Sequence, residues 1–197
     1  MQRLLIATAN PGKLAEFRTL LAPLGIEALG LDAFGLAAAE ETGASFVENA
    51  LIKARHASAA TGLPALADDS GLCVDALDGA PGLLSARYAG PGADAQANLR
   101  RLLEQLRGVA QDARGAHFVC VLVLLRHAAD PDPRIATGRW YGRILEAPRG
   151  QGGFGYDPVF LDPASGRSAA ELSAAEKHAR SHRGQALRSL LAELAGA

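Results

Sequence analysis

Between His117 and Arg126 the chain reads HFVCVLVLLR, apolar at every position inside its ends and rich in valine. A strand that is continuously apolar, rather than alternating, is covered on both faces, and such cover requires a sheet with further layers packed on either side. The flanking sequence supplies both kinds of element. Arg3 to Ala7 is a short apolar run that enters a turn at Thr8, Asn10, Pro11 and Gly12, so it reads as a buried strand. From Lys13 to Leu24, the residues Leu14, Phe17, Leu20, Leu21 and Leu24 recur at three- and four-residue spacing, the stripe of an amphipathic helix. A second strand is predicted at Ile26 to Leu29.

Ser45-Phe46-Val47-Glu48 has the spacing of a capping box and opens a helix to about Ala60, stopped by Gly62 and Pro64. Strands are predicted at Pro64 to Ala67 and at Leu72 to Leu77, on either side of a polar kink, Asp68-Asp69-Ser70-Gly71. A loop rich in glycine and proline follows from Gly79 to Gly92, then a helix from about Asp94 to Leu106. Ile135 to Leu145 should pair with the central strand after a turn at Asp130 to Pro133. The last third holds a glycine loop (Gly150 to Gly155), a strand over Tyr156 to Leu161 whose short core is Val159 to Leu161, and helices from about Ser173 and Gly184. Strands alternating with helices, plus one hairpin-like turn, predict an α/β fold: a mixed central sheet flanked by helices.

At 197 residues and 49% hydrophobic, the chain is long enough to bury roughly 70% of its unfolded surface, and a single domain over residues 1–197 is expected. The 20 basic and 21 acidic residues leave a formal charge of -1, so no global field draws the chain to nucleic acid or an anionic membrane. Any anion must be met by a local site. Cys73 and Cys120 lie in apolar runs without partners at metal or redox spacing, which predicts reduced core residues. No apolar run approaches the ~18 residues of a membrane span, and the start MQRLLIATANPGK lacks a long signal-peptide core. A cytoplasmic location is the expectation.

Lysine usage points to chemistry. Seventeen of the basic residues are arginine, leaving only Lys13, Lys53 and Lys177. A chain that so favours arginine retains lysine where a compact, point-like ammonium is needed, as against phosphate oxygens in a tight site. Lys13 ends Thr8-Ala9-Asn10-Pro11-Gly12-Lys13, at a strand-to-helix junction whose backbone N–H groups and helix dipole suit an anion. The P-loop spacing is absent, and Leu14 follows the lysine. Glu40-Glu41 and Asp68-Asp69 lie in separate polar segments, and either pair could be solvated turn acids or could converge on Mg²⁺. Lys53 shares the helix capped by Ser45 and could face phosphates held by such a metal. Gly150-Gln151-Gly152-Gly153-Phe154-Gly155 matches GxGxxG, but a strand rather than a helix is predicted after it, so it is read as a loop presenting Phe154 and Asp157, with the ring as a stacking platform for a base. His178 and His182 are four apart among Lys177, Arg180 and Arg183. That crowd of positive charge favours a donor-rich patch over zinc.

In order along the chain, TxNxGK, EETG, SFVENALIKA, ADDSGL, GAPGxxSARYAG, GGFGYDPVF and ELSAAEKHARSHRGQAL resemble the inosine triphosphate pyrophosphatase family over nearly the whole length. The resemblance implies two lobes with an active-site cleft between them, as in ITPase-like and Maf-like folds. It implies a homodimeric, Mg²⁺-dependent enzyme that hydrolyses ITP, dITP and XTP to the monophosphate and pyrophosphate, with no nucleic-acid or membrane partner. By the same resemblance Thr8, Ala9, Asn10, Pro11, Gly12 and Lys13 would hold phosphates, and Lys53 would join Lys13 in neutralising them. Asp69 would hold the metal together with Glu40 or Glu41, of which Glu41 has the spacing to Lys53 and Asp69 that suits the family pattern; Asp69 would also accept a proton, and Ser70 would touch substrate. Phe154, Gly155, Tyr156, Asp157, Lys177, His182 and Arg183 would enclose the base. Two other readings stay open: a Maf-like pyrophosphatase of different base preference, and a nucleotide-binding module without catalysis.

Overall fold

The computed structural model describes residues 2–195. Its seven strands are β1 (Arg3–Ile6), β2 (Glu27–Leu29), β3 (Ala65–Val74), β4 (Gly115–Leu125), β5 (Arg134–Ile144), β6 (Phe160–Asp162) and β7 (Arg167–Ser168). They form one sheet in the order β2-β1-β3-β4-β5-β6-β7. The helices are α1 (Pro11–Leu21), α2 (Phe46–Thr61), α3 (Ala95–Gln105), α4 (Ala174–Arg180) and α5 (His182–Ala195). β1 runs parallel to β2 and to β3, whereas β6 is antiparallel to both β5 and β7. The sheet is therefore mixed, as the alternation of elements together with the hairpin-like turn at Asp130 to Pro133 predicts. β4 stands fourth of seven, and every residue from Phe118 to Leu125 is buried, as its unbroken apolar character requires.

By internal packing the chain divides into two compact units: residues 2–69, 121–136 and 189–195, and residues 70–120 and 137–188. In the first, Asn10 caps α1 and Ser45 caps α2, whose C-terminus ends on Gly62 in the left-handed conformation (φ 69°). Between β4 and β5, Asp130 closes the turn. Its carboxylate accepts from the backbone and guanidinium of Arg126 and from the N–H of Asp132, and those bonds hold the carboxyl far below its usual range.

The second unit is built around an aromatic core. Phe118 packs against Phe160 (ring centroids 4.6 Å apart) and Trp140 (6.3 Å), and Trp140 against Phe160 (4.9 Å). The indole N–H of Trp140 donates to Asp162 Oδ1 at 3.1 Å, which satisfies the ring's polar atom inside the core. Leu99 and Leu102 of α3 close the same cluster. Phe160 is fully buried, so Phe160→Ala is expected to lower unfolding free energy by about 3–5 kcal/mol. Denaturant titration followed by the fluorescence of Trp140, the chain's one tryptophan, measures this.

Four local expectations are corrected. β3 is one strand through Asp68-Asp69-Ser70-Gly71 rather than two strands about a kink, and it stops at Val74, with a 3-10 turn at Asp75–Leu77. Polar residues argue against a central strand only when their charge goes uncompensated, and here each aspartate meets an ammonium. After the glycine loop comes a 3-10 turn at Asp157–Val159, with Pro158 inside it, and only then β6; the proline ring lacks the N–H a ladder needs. α5 starts at His182, two residues before Gly184. Ser181 (φ -64°, ψ 154°) separates α4 from α5, so His178 and His182 are not an i, i+4 pair on one helix. Neither cysteine is in a disulfide, and Cys120 is buried while Cys73 is half-buried.

Candidate active site

Two clusters gather the residues singled out in the sequence, one in each unit. The first unites α1, α2, the loop before α2 and the start of β3. Lys53, buried on α2, donates to Glu41 Oε1 at 2.7 Å, Asp69 Oδ1 at 2.6 Å and the carbonyl of Asp68 at 2.8 Å. An ammonium has three protons, and all three are engaged. In this arrangement Lys53 clamps two carboxylates. Glu41, not Glu40, is the acid brought to it, and Glu40 is exposed. The loop carrying Glu41 is tied down by the buried Asn49, one helical turn before Lys53, whose side-chain oxygen accepts from Gly43 N at 2.8 Å. Lys13 pairs with Asp68, a partner that neither the spacing nor the resemblance marks.

Burial pushes the Asp69 carboxyl above its usual range; Lys53 offsets this only in part, and the neighbouring charge of Glu41 reinforces it. For Lys53, burial opposes the charge, but Asp69 and Glu41 more than restore it and hold its pKa above the ordinary lysine value. Lys53 is therefore an ammonium at neutral pH, beside a carboxylate poised to take up a proton more readily than a solvated one.

The junction of β1 and α1 is the strand-to-helix turn expected, closed by local hydrogen bonds. Asn10 Oδ1 accepts from Gly12 N (2.9 Å) and Lys13 N (3.1 Å), and Thr8 Oγ1 accepts from Asn10 N (3.1 Å). Asparagine is among the strongest N-caps, so these amides are capped by the chain itself. Ala9, Asn10 and Pro11 are exposed, and Thr8 and Gly12 half-buried, around them.

The second cluster lies on the glycine loop, α4 and the start of α5. Phe154 is 40% exposed, and the Lys177 ammonium sits 4.8 Å and the Arg183 guanidinium 6.0 Å from its ring centre. Asp157 is buried beneath the loop, where it accepts from Phe154 N at 2.7 Å and pairs with Lys177. A Cβ on Gly153 (φ 71°) would come within 2.1 Å of that carboxylate. Asp157 thus pins the loop and orients Lys177. Tyr156 turns inward and its hydroxyl donates to the Ser85 carbonyl at 2.9 Å, with burial pushing its pKa up. Gly155 adopts a left-handed turn (φ 64°) between them. Arg183 donates to Ser70 Oγ at 3.2 Å, so Ser70 orients a guanidinium, and it directly follows Asp69 of the first cluster. His182 is buried and stacked on Phe118, with ring centres 4.8 Å apart and planes at 13°. Nothing in the apolar run of β4 marks Phe118 for that position.

A model of the Ham1 family matches residues 4–193. The chain belongs to the Ham1 family. A relative from Ralstonia nicotianae named dITP/XTP pyrophosphatase is 61% identical over 198 residues, covering 98% of this chain and 97% of that one. A relative of the same name from Yersinia pseudotuberculosis is 56% identical, covering 97% of each. Among solved structures, a HAM1 protein from Coxiella burnetii superposes with a TM-score of 0.91 at 49% identity, covering 100% of both chains. No helix among the described residues of this Ham1-family chain is long and apolar enough to cross a membrane.

Proposed function

We propose that this chain is a nucleoside triphosphate pyrophosphatase, one ITPase-like domain over residues 1–197, that hydrolyses ITP, dITP and XTP to the monophosphate and pyrophosphate and so cleanses the nucleotide pool. The observation that carries the reading is Lys53 bonded to both Glu41 and Asp69, in a chain whose relatives are named dITP/XTP pyrophosphatase. The two carboxylates suit Mg²⁺. That cation takes oxygen donors, with one or two carboxylates commonly enough because phosphates and water complete its shell. Glu41 and Asp69 would hold it, and when bound it supplies charge neutralisation to the phosphate oxygens.

The chain's own residues do the rest. Release of pyrophosphate requires water to attack the α-phosphorus, and Asp69 accepts the proton that water gives up. Lys13 on Asp68 and Lys53 on Asp69 keep positive charge beside the phosphates, where phosphoryl transfer depends chiefly on positioning and electrostatics. Thr8 to Gly12 offer the turn, exposed at Ala9, Asn10 and Pro11, along which the phosphates lie. At the other cluster, Phe154 stacks on the base, and Lys177, His182 and Arg183 surround it with donors. Hypoxanthine and xanthine present a 6-carbonyl acceptor to such groups, whereas adenine presents an amino donor there. Arginine and lysine have no acceptor to offer it, and mismatches of this kind reach about 10⁴-fold in selectivity. In this reading the enzyme works as a homodimer in the cytoplasm.

A nucleotide panel tests this. With Mg²⁺ present, ITP and XTP are expected to yield pyrophosphate well ahead of ATP, dTTP and UTP, with light scattering reading two chains per particle. Inorganic phosphate as the product, a pyrimidine preference, or ITP binding without turnover each overturns the reading.

A further inference from the structure

We propose that Gly138 of β5, together with Phe118 of β4, is a positioning residue for base recognition: the two form the seat that sets where His182 and Arg183 stand. The proposal rests on the assignment of those two residues to the base and adds what holds them there.

Gly138 is not glycine for backbone freedom, since it is not among the residues of positive φ. It is glycine for space. A Cβ at this position would lie 2.0 Å from the carbonyl oxygen of His182, 2.7 Å from Ala186 N and 3.0 Å from the Cβ of Gln185. His182 O and Ala186 N are the pair an α-helix joins i to i+4. β5 therefore approaches α5 directly at the turn that carries His182 and Arg183, with no side chain between them. The two closest atoms are backbone, which cannot rotate out of the way, so any side chain at 138 must displace the first turn of α5 bodily.

The other sides of that turn are equally confined. A Cβ on Gly184 would meet His178 O at 1.9 Å, which shows α4 pressed against α5. Gln185 Nε2 donates to Arg180 O at 2.6 Å, and Arg188 donates to the carbonyls of His178 and Ala179. Below, Phe118 stacks on the His182 ring and is itself wedged against Phe160 and Trp140. His182 is thus fixed by close backbone approach on one side and by a packed ring on another. A displacement near 1 Å is enough to cost about a hundredfold at a positioned group.

The experiment compares Gly138→Ala, Phe118→Leu, His182→Ala and Leu102→Ala in Mg²⁺ buffer. It measures kcat and KM for ITP and ATP by pyrophosphate release, alongside thermal unfolding. Leu102 lies in the same core on α3, so its truncation reports loss of stability alone. Gly138→Ala and Phe118→Leu are expected to lower the ITP-to-ATP ratio of kcat/KM about ten- to a hundredfold, mainly through a higher KM for ITP. Leu102→Ala should unfold at lower temperature with the wild-type ratio. Should Gly138→Ala fail to fold, Phe118→Leu carries the test by itself. A wild-type ratio in both seat variants while His182→Ala shifts it overturns the proposal and spares the base assignment. An unchanged ratio in His182→Ala removes the base assignment and the proposal with it. A shift in Leu102→Ala as large as in the seat variants reduces the effect to stability and also overturns it.

Discussion

Asp69→Asn is expected to fold, to bind ITP, and to lose about 10²–10⁴-fold in kcat. Asparagine keeps the shape of the side chain and its oxygen can still accept from Lys53, but it cannot take a proton from water. The expected effect on stability is small, and its sign follows from the direction of the pKa shift. The Asp69 carboxyl is raised by burial, whereas in the unfolded chain it titrates near about 3.9. Folding therefore favours the protonated form, and ionisation costs stability as pH rises through that window. Asparagine removes this cost, and against it stands the weaker bond to Lys53, whose ion pair with Glu41 persists. Thermal unfolding within a few degrees of wild type, together with collapsed pyrophosphate release, is the expected pair of results. Wild-type turnover would remove Asp69 from the chemistry.

How much of this was legible in the sequence depends on the kind of signal each residue leaves. The central place of β4 could be read because eight successive apolar residues allow no solvent-facing side, and the start of α2 because Ser45 is a strong cap. β3 was misread because the rule that polar residues break strands treats each side chain alone. Asp68 and Asp69 are admitted to the middle of the sheet by ammonium groups 55 and 16 residues distant in sequence, a pairing that spacing cannot reveal. The same non-locality explains Phe118, which looks like any other residue of an apolar run until His182 is found stacked on it. Lys13 and Lys53 stand out in the composition because arginine supplies nearly every other positive charge. The strand-to-helix junction at Thr8 to Lys13 could be read from local spacing, whereas its closure by Asn10, which accepts from the amides of Gly12 and Lys13, is a detail the spacing leaves open.

Lys53→Met is the variant in which stability and activity should fall together. Methionine has nearly the length of lysine and takes the same buried position, so the change removes the charge and its three hydrogen bonds with little change of volume. Glu41 and Asp69 are then left beside each other without the cation that joins them, and removing one partner of a buried ion pair typically costs about 3–5 kcal/mol. The loss should exceed that of Lys13→Met, because Lys13 pairs with one carboxylate where Lys53 holds two and a carbonyl. Without its ammonium partner the Asp69 carboxyl should rise further, since burial and Glu41 both push it upward; less of it remains ionised, and pyrophosphate release should fall with it. Mg²⁺ supplies a test that a simple packing defect would not pass. If the two carboxylates are its ligands, adding it should raise the unfolding temperature of Lys53→Met by more than that of wild type, because in the variant the ion also relieves the repulsion that lysine normally quenches. Equal Mg²⁺ shifts in the two proteins would mean that the metal binds elsewhere. An unfolding temperature at the wild-type value would mean that Lys53 does not hold the cluster together.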